Sequence, residues 1–133
     1  MASNQNIGVS IGTVHVRTPI NAVTATTTSG GIPIQGAKKI TWFLTRADHS
    51  AGSTTWTFEV SPDGTVWEPF NKLITNATNT NAQNHVRVAS LAQAGNGVDI
   101  LHMDLEHGTY VEMRAIATEA TDGTHTAVCV IEF

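Results

Sequence analysis

Residues 55–67 restrict the fold more than any other stretch: Thr55-Trp56-Thr57-Phe58-Glu59-Val60-Ser61-Pro62-Asp63-Gly64-Thr65-Val66-Trp67. Trp56, Phe58 and Val60 alternate with Thr55, Thr57 and Glu59, and a period of two belongs to a strand with one buried and one wet face. Pro62 fixes its own φ and Gly64 accepts a positive one, so the chain can reverse tightly into a second strand that begins at Trp67. A hairpin is scaffold; function has to be argued from a site.

The same punctuation recurs along the chain. Residues 8–17 alternate, with Val9, Ile11 or Val14 and Val16 as the inward set, and a second strand over 20–28 follows Pro19. After a loop at Ser29-Gly30-Gly31-Ile32-Pro33, residues 37–47 place Ile40, Trp42 and Leu44 on one face. Further strands are predicted over 85–91, 98–106, 109–118 and 124–133. Ala94-Gly95-Asn96-Gly97 is a turn, and Asp122-Gly123 is a hairpin signal between the last two runs. No segment sustains a helical period. About eight to ten short strands separated by turns predict an all-β chain, an antiparallel two-sheet β-sandwich, jelly-roll-like rather than immunoglobulin-like, because a jelly roll leaves fewer open edges. Residues 1–7 read as a flexible arm and 8–133 as one domain, long enough to bury about two-thirds of the surface exposed on unfolding.

Two segments depart from this pattern. Residues 71–84 turn polar and uncharged, with Asn76, Thr78, Asn79, Asn81 and Asn84 in a long loop, and such loops inside compact domains are often contact surfaces. In the final strand Ala127, Cys129, Ile131 and Phe133 share one face while Val128 and Val130 occupy the other. A strand apolar on both faces is either covered on both sides or offers one to a partner chain.

Only 14% of residues are charged, against 41% hydrophobic, so Thr, Ser, Asn and Gln supply much of the surface. Such a surface costs less to desolvate than one of Lys and Glu, which suits packing against neighbours. A net charge of −4 with seven scattered Lys and Arg argues against nucleic acid as partner. The first residues lack the basic and apolar regions of a signal peptide, no apolar run is long enough to span a membrane, and Cys129 has no cysteine to pair with; folding in a reducing cytosol is the expectation.

Candidate chemistry is sparse. His102, Asp104 and Glu106 would share a strand face, as metal ligands or as an ordinary wet face. Asp48-His49-Ser50 holds the residue types of a hydrolase triad, but adjacent residues in a turn diverge, whereas triads assemble from separate segments. Cys129 sits among apolar neighbours that do not favour a thiolate. Trp42 and Trp56 are in phase with core residues, which leaves Trp67 as the tryptophan available to stack on a sugar. No catalytic residue, cofactor or metal site is expected.

The Ser61-Pro62-Asp63-Gly64-Thr65-Val66-Trp67 hairpin, in a short chain rich in Thr, Asn, Ala and Gly, resembles a pattern in small β-sandwich proteins of tailed-bacteriophage virions, and also hairpins of discoidin-type and other carbohydrate-binding sandwiches. The whole profile resembles phage capsid decoration, or cement, proteins. That resemblance implies a non-enzymatic virion protein on the outer capsid surface, bound to the major capsid protein and bridging capsomers. The expected contacts are Ala2, Ser3, Asn4, Gln5 and Asn6 of the arm, Asn76, Thr78, Asn79, Asn81 and Asn84 of the loop, and Val128 and Val130. A homo-oligomer, in the first place a dimer through the terminal strand, is expected too. The alternatives are a carbohydrate-binding module using Trp67, or a tail or baseplate subunit.

Overall fold

The computed structural model describes residues 13–70, 90–105, 109–119 and 122–133. These contain ten strands: β1 (Val14–Val23), β2 (Thr27–Thr28), β3 (Ile32–Pro33), β4 (Lys39–Ala47), β5 (Thr54–Ser61), β6 (Glu68–Pro69), β7 (Ser90–Gln93), β8 (Gly97–Asp104), β9 (Glu112–Glu119) and β10 (Thr124–Glu132). One sheet has the order β1-β10-β4-β8. In the other, β9 and β5 lie side by side, β2 and β3 pair with the free side of β9, and β6 and β7 pair with β5.

The pairings are nested. β1 joins β10, β2 and β3 join β9, β4 joins β8, and β5 joins β7, every pair antiparallel. Successive pairs alternate between the sheets, so the chain is a long folded-back ribbon wrapped over two layers, which is the jelly-roll winding.

Alternation decides which face of each strand turns inward. In β4 the residues Ile40, Trp42 and Leu44 are fully buried, and in β10 Ala127, Cys129 and Ile131 are too. The facing sheet contributes Trp56, Phe58 and Val60 from β5 and Met113, Ala115 and Ala117 from β9. The Trp42 and Phe58 rings meet across the interior with centroids 5.0 Å apart. Small residues on β9 and β10 leave room for these rings, as close packing of a two-layer core requires.

One end of this interior is polar. Arg46 continues the inward phase of β4 and is 2% exposed; its guanidinium donates to the carbonyls of Ala94 and Ala51 and to Thr54 Oγ1. Gln93 accepts from Trp56 Nε1 at 2.9 Å and donates to the Leu44 carbonyl at 2.8 Å, so a single amide ties the two sheets together. Each of these buried groups has a partner, which removes the cost of desolvating it.

The expected hairpin is present but lopsided. β5 pairs with β6 through Glu59 opposite Pro69 and Val60 opposite Glu68, so the second arm begins at Glu68 and not at Trp67. Its loop is held by short-range bonds: Ser61 Oγ accepts from the amides of Asp63 and Gly64, and Asp63 Oδ1 from those of Thr65 and Val66. Gly64 has φ of 82°, the left-handed conformation its lack of Cβ permits.

Three expectations are corrected. Val14 and Val16 do not turn inward: they are 55% and 65% exposed, on the outer side of β1. Pro19 does not end a strand: β1 runs through it, with register shifts against β10 on either side of Ala127. An edge strand tolerates proline there because no ladder bond is lost on the solvent side, and the shifts absorb extra residues. Asp122-Gly123 does not close a hairpin, since β9 and β10 belong to different sheets; Gly97 likewise begins a strand in the sheet opposite β7. Both turns are corners at which the chain crosses between layers. The arm 1–7 and the loop 71–84 lie outside the described residues.

Two outcomes follow from this core. Phe58→Ala should cost about 3–5 kcal/mol of unfolding free energy in urea titration, because it removes the ring against Trp42. Cys129 is buried, and burial pushes its thiol pKa up to about 11. At pH 8 only about one thousandth is then thiolate, so a disulfide reagent should leave native protein unlabelled and react once urea unfolds it.

Candidate functional site

The outer faces of the two sheets differ in kind. On the six-stranded sheet, Glu59 and Arg114 stand opposite each other and pair, with Arg114 Nε donating to Glu59 Oε1 at 2.7 Å, flanked by Thr55, Thr57, Glu112, Thr118 and the half-buried Ile116. That is a conventional wet face. The four-stranded sheet presents an apolar one.

Register builds that apolar face row by row, because directly opposed residues project to the same side. Val16 stands beside Val130, then Thr41, then His102; Val128 stands beside Phe43, then Ile100; Thr126 stands beside Thr45, then Val98. Val16 is 65% exposed, Val98 57% and Ile100 55%, while Phe43, Val128 and Val130 are half-buried by these neighbours. Beyond them a charged row closes one end: Val14, Glu132, Lys39 and Asp104, with Lys39 Nζ 3.6 Å from Glu132. Three inter-strand spacings and three rows give an apolar field about 14 Å on a side.

Val128 and Val130 thus lie where the terminal strand's pattern put them, facing outward. Their company could not be read from the sequence: Val16, Phe43, Val98 and Ile100 come from strands distant in the chain. The arm residues Ala2, Ser3, Asn4, Gln5 and Asn6 and the loop residues Asn76, Thr78, Asn79, Asn81 and Asn84 lie outside the described residues.

The other candidates resolve differently. Trp42 and Trp56 are fully buried. Trp67 is half-buried, and the Arg114 guanidinium lies 4.2 Å above its ring centre, so one face of the indole is already occupied. Stacking on Trp67 is therefore confined to the other face of the indole. His102 and Asp104 point outward and Met103 and Leu105 inward, with His102 Nδ1 3.1 Å from Thr41 Oγ1; Glu106 is outside the described residues. Ser50 Oγ donates to both Asp122 oxygens, and its neighbour His49 turns into the interior. Asp48, His49 and Ser50 do not form a triad.

His49 instead meets two residues that the sequence does not connect to it. Its Nε2 lies 3.1 Å from Glu119 Oε2, and His125 Nδ1 lies 3.4 Å from the same oxygen. The side chains of both histidines are fully inaccessible and that of Glu119 is 3% exposed. The backbone builds this approach. Asn96 accepts from the His49 amide and donates to its carbonyl, and a Cβ at Gly123 would lie 2.5 Å from His49 Cδ2, so only glycine fits there. Glu119 ends β9 and His125 lies near the start of β10, directly opposite Arg46.

Burial lowers the His125 pKa below the ordinary imidazole value, outweighing the raising influence of Glu119 and the Ala25 carbonyl. Neither ring nitrogen of His125, nor Nδ1 of His49, has a hydrogen-bond partner of good geometry. Buried polar atoms in that state cost about 1–3 kcal/mol each. The signal in the sequence was His125 in phase with Ala127, Cys129 and Ile131, a polar residue on an otherwise apolar face.

The chain is thus an all-β protein of the jelly-roll sandwich class with one apolar outer sheet face. No family model matches it, and no curated protein matches it in sequence. Among solved structures, the SPBc2 prophage-derived protein YomS is 13% identical with a TM-score of 0.64, over 95% of this chain and 98% of that one. A protein of the disulfide-linked pili of Bacillus endospore appendages is 11% identical (TM-score 0.44, covering 96% of each chain). The family 11 carbohydrate-binding module from Clostridium thermocellum, solved with a mixed-linked tetrasaccharide, is 6% identical (TM-score 0.40, covering 94% of this chain and 90% of that one). The first shares the fold over nearly the whole of both chains; the other two superpose too loosely to bear on function.

Arg114→Ala should uncover the Trp67 ring. Iodide quenching of tryptophan fluorescence should then increase, with Trp42 and Trp56 remaining protected; unchanged quenching would mean that Arg114 does not shield the indole in solution.

Proposed function

We propose that the chain is a non-enzymatic structural protein of a bacteriophage virion, which binds the outer capsid surface and bridges neighbouring capsomers through the outer face of its four-stranded sheet. The observation that carries this reading is the contiguous apolar field of Val16, Phe43, Val98, Ile100, Val128 and Val130 on a chain whose other outer face is conventionally charged. A fold shared with a prophage-derived protein supports it.

The occupant of the face is the major capsid protein. The apolar field covers about 200 Å² in flat projection, the centre of an interface and much less than the roughly 800 Å² that each partner contributes to a stable standard one. A single contact of that size is weak. A shell offers the same site many times, and a protein that engages two subunits at once converts its second contact into an intramolecular one. The uncharged Thr41, Thr45 and Thr126 within the field and the Lys39–Glu132 row beside it supply a polar rim that costs little to desolvate.

Cosedimentation with particles of the virus that encodes the chain tests the reading. Val16→Lys combined with Ile100→Lys alters two exposed positions, so stability should stay within about 0.5 kcal/mol of wild type while shell affinity falls at least tenfold. Equal binding by the double variant overturns the assignment of the face, and a wild-type protein that binds no shell overturns the function. Sedimentation of the pure protein as a stable dimer that the same variant breaks would make a second copy of the chain the occupant instead.

A further inference from the structure

The geometry points to a structural site for one divalent transition-metal ion, zinc by its ligand types, on His49, Glu119 and His125. Two imidazoles and one carboxylate are a donor set that zinc takes, with metal–ligand distances of about 2.0–2.1 Å. Ligands at that distance in a tetrahedron stand about 3.3–3.4 Å apart. The observed separations are 3.1 Å from His49 Nε2 to Glu119 Oε2 and 3.4 Å from His125 Nδ1 to the same oxygen, with all three donors within 4.8 Å of one another. The Thr124 carbonyl, 3.1 Å from His49 Nε2, stands at the spacing of a fourth donor.

Burial and orphaned nitrogens distinguish this group from a surface cluster. The side chains of both histidines are inaccessible, and hydrogen bonding leaves His125 without a partner of good geometry at either ring nitrogen. A cation at the shared focus gives His125 Nδ1 the partner that it otherwise lacks, and His49 Nε2, already directed at Glu119 and the Thr124 carbonyl, faces the same point. Thr54 Oγ1 donates to Glu119 Oε2 at 3.2 Å, the kind of outer contact that orients a ligating carboxylate.

Charge works in both directions. Arg46, bonded to the same Thr54, opposes a dication, but its guanidinium is also held by two carbonyl oxygens. Asp122, fixed by the amide and hydroxyl of Ser50, sets a negative charge beside His49 that offsets it. The three ligands come from the turn after β4, the end of β9 and the start of β10, so one ion would pin the corner where the chain crosses between sheets. Metal binding of this kind adds to folding free energy, because the unfolded chain has no such site.

The test uses the full chain stripped of metal by a chelator under mildly denaturing conditions, refolded, and titrated with zinc. Native mass spectrometry should show one zinc per chain, with a higher melting temperature than in chelator. Glu119→Gln preserves shape and hydrogen bonding while removing the anionic ligand, and should weaken zinc at least tenfold. If that variant fails to fold, imidazole ¹⁵N shifts of the wild type decide: zinc should move His49 Nε2 and His125 Nδ1. An unchanged melting temperature with no bound zinc overturns the proposal, as does undiminished binding by a folded Glu119→Gln protein or shifts confined to exposed histidines. Since shell binding is read separately, either result stands whatever the sheet face proves to contact.

Discussion

Everything in this molecule depends on two sheets closing their inner faces on each other. Through the middle of β4, β5, β9 and β10 every second residue is apolar and buried, and Trp42 meets Phe58 across the gap between layers. A strand with such a face cannot stay in water, and one hairpin could not cover it, since the exposed apolar area would exceed what local hydrogen bonds offset. The nested pairing solves this by bringing distant segments together: among the described strands β10, the last, lies between β1, the first, and β4. The core is consequently dominated by contacts remote in sequence.

Closure leaves each sheet a second face, and there the two sheets part company. One is furnished with the Glu59–Arg114 pair and Arg114 over Trp67; the other carries valines, an isoleucine and a phenylalanine in register. Retaining water-exposed apolar side chains at three neighbouring rows has a solubility cost that a free monomer gains nothing from. A subunit destined to be covered recovers that cost on assembly. This asymmetry, more than any single residue, is what the proposed structural role rests on.

The polar end of the interior follows another logic. Arg46, Gln93, Thr54 and Trp56 satisfy one another and the surrounding carbonyls, which makes a buried polar network tolerable. His49 and His125, gathered around Glu119, adjoin it without reaching the same satisfaction. They sit at the corner where Gly123 admits the His49 ring, and the close approach there is built by the backbone rather than left over from packing. A group so placed either holds a ligand or carries an uncompensated cost, and the donor chemistry favours the ligand.

Local alternation was legible because its physical cause is local. Side chains on a strand switch faces at each residue, so Ile40, Trp42 and Leu44, Trp56, Phe58 and Val60, and the two-sided character of Val128 and Val130 follow from residue order alone. Turn residues were legible as turns, again because glycine and proline act through their own φ. What each turn joined was not: Asp122-Gly123 makes the same backbone reversal whether the next strand returns beside its neighbour or crosses to the other layer. Pro19 was misleading for a related reason, since its missing N–H matters only in a ladder position, and edge status is a property of the assembled sheet. The gathering of Val16, Phe43, Val98 and Ile100 around Val128 and Val130 belongs to register between strands remote in the chain, as does the meeting of His49 with Glu119 and His125. The sequence by itself determined which residues of the central strands turn inward and where the chain bends, because those depend on neighbours along the chain; only the tertiary structure decided which face of the edge strand β1 is covered, which outward residues share a face and which buried donors share a focus, because those depend on neighbours across space.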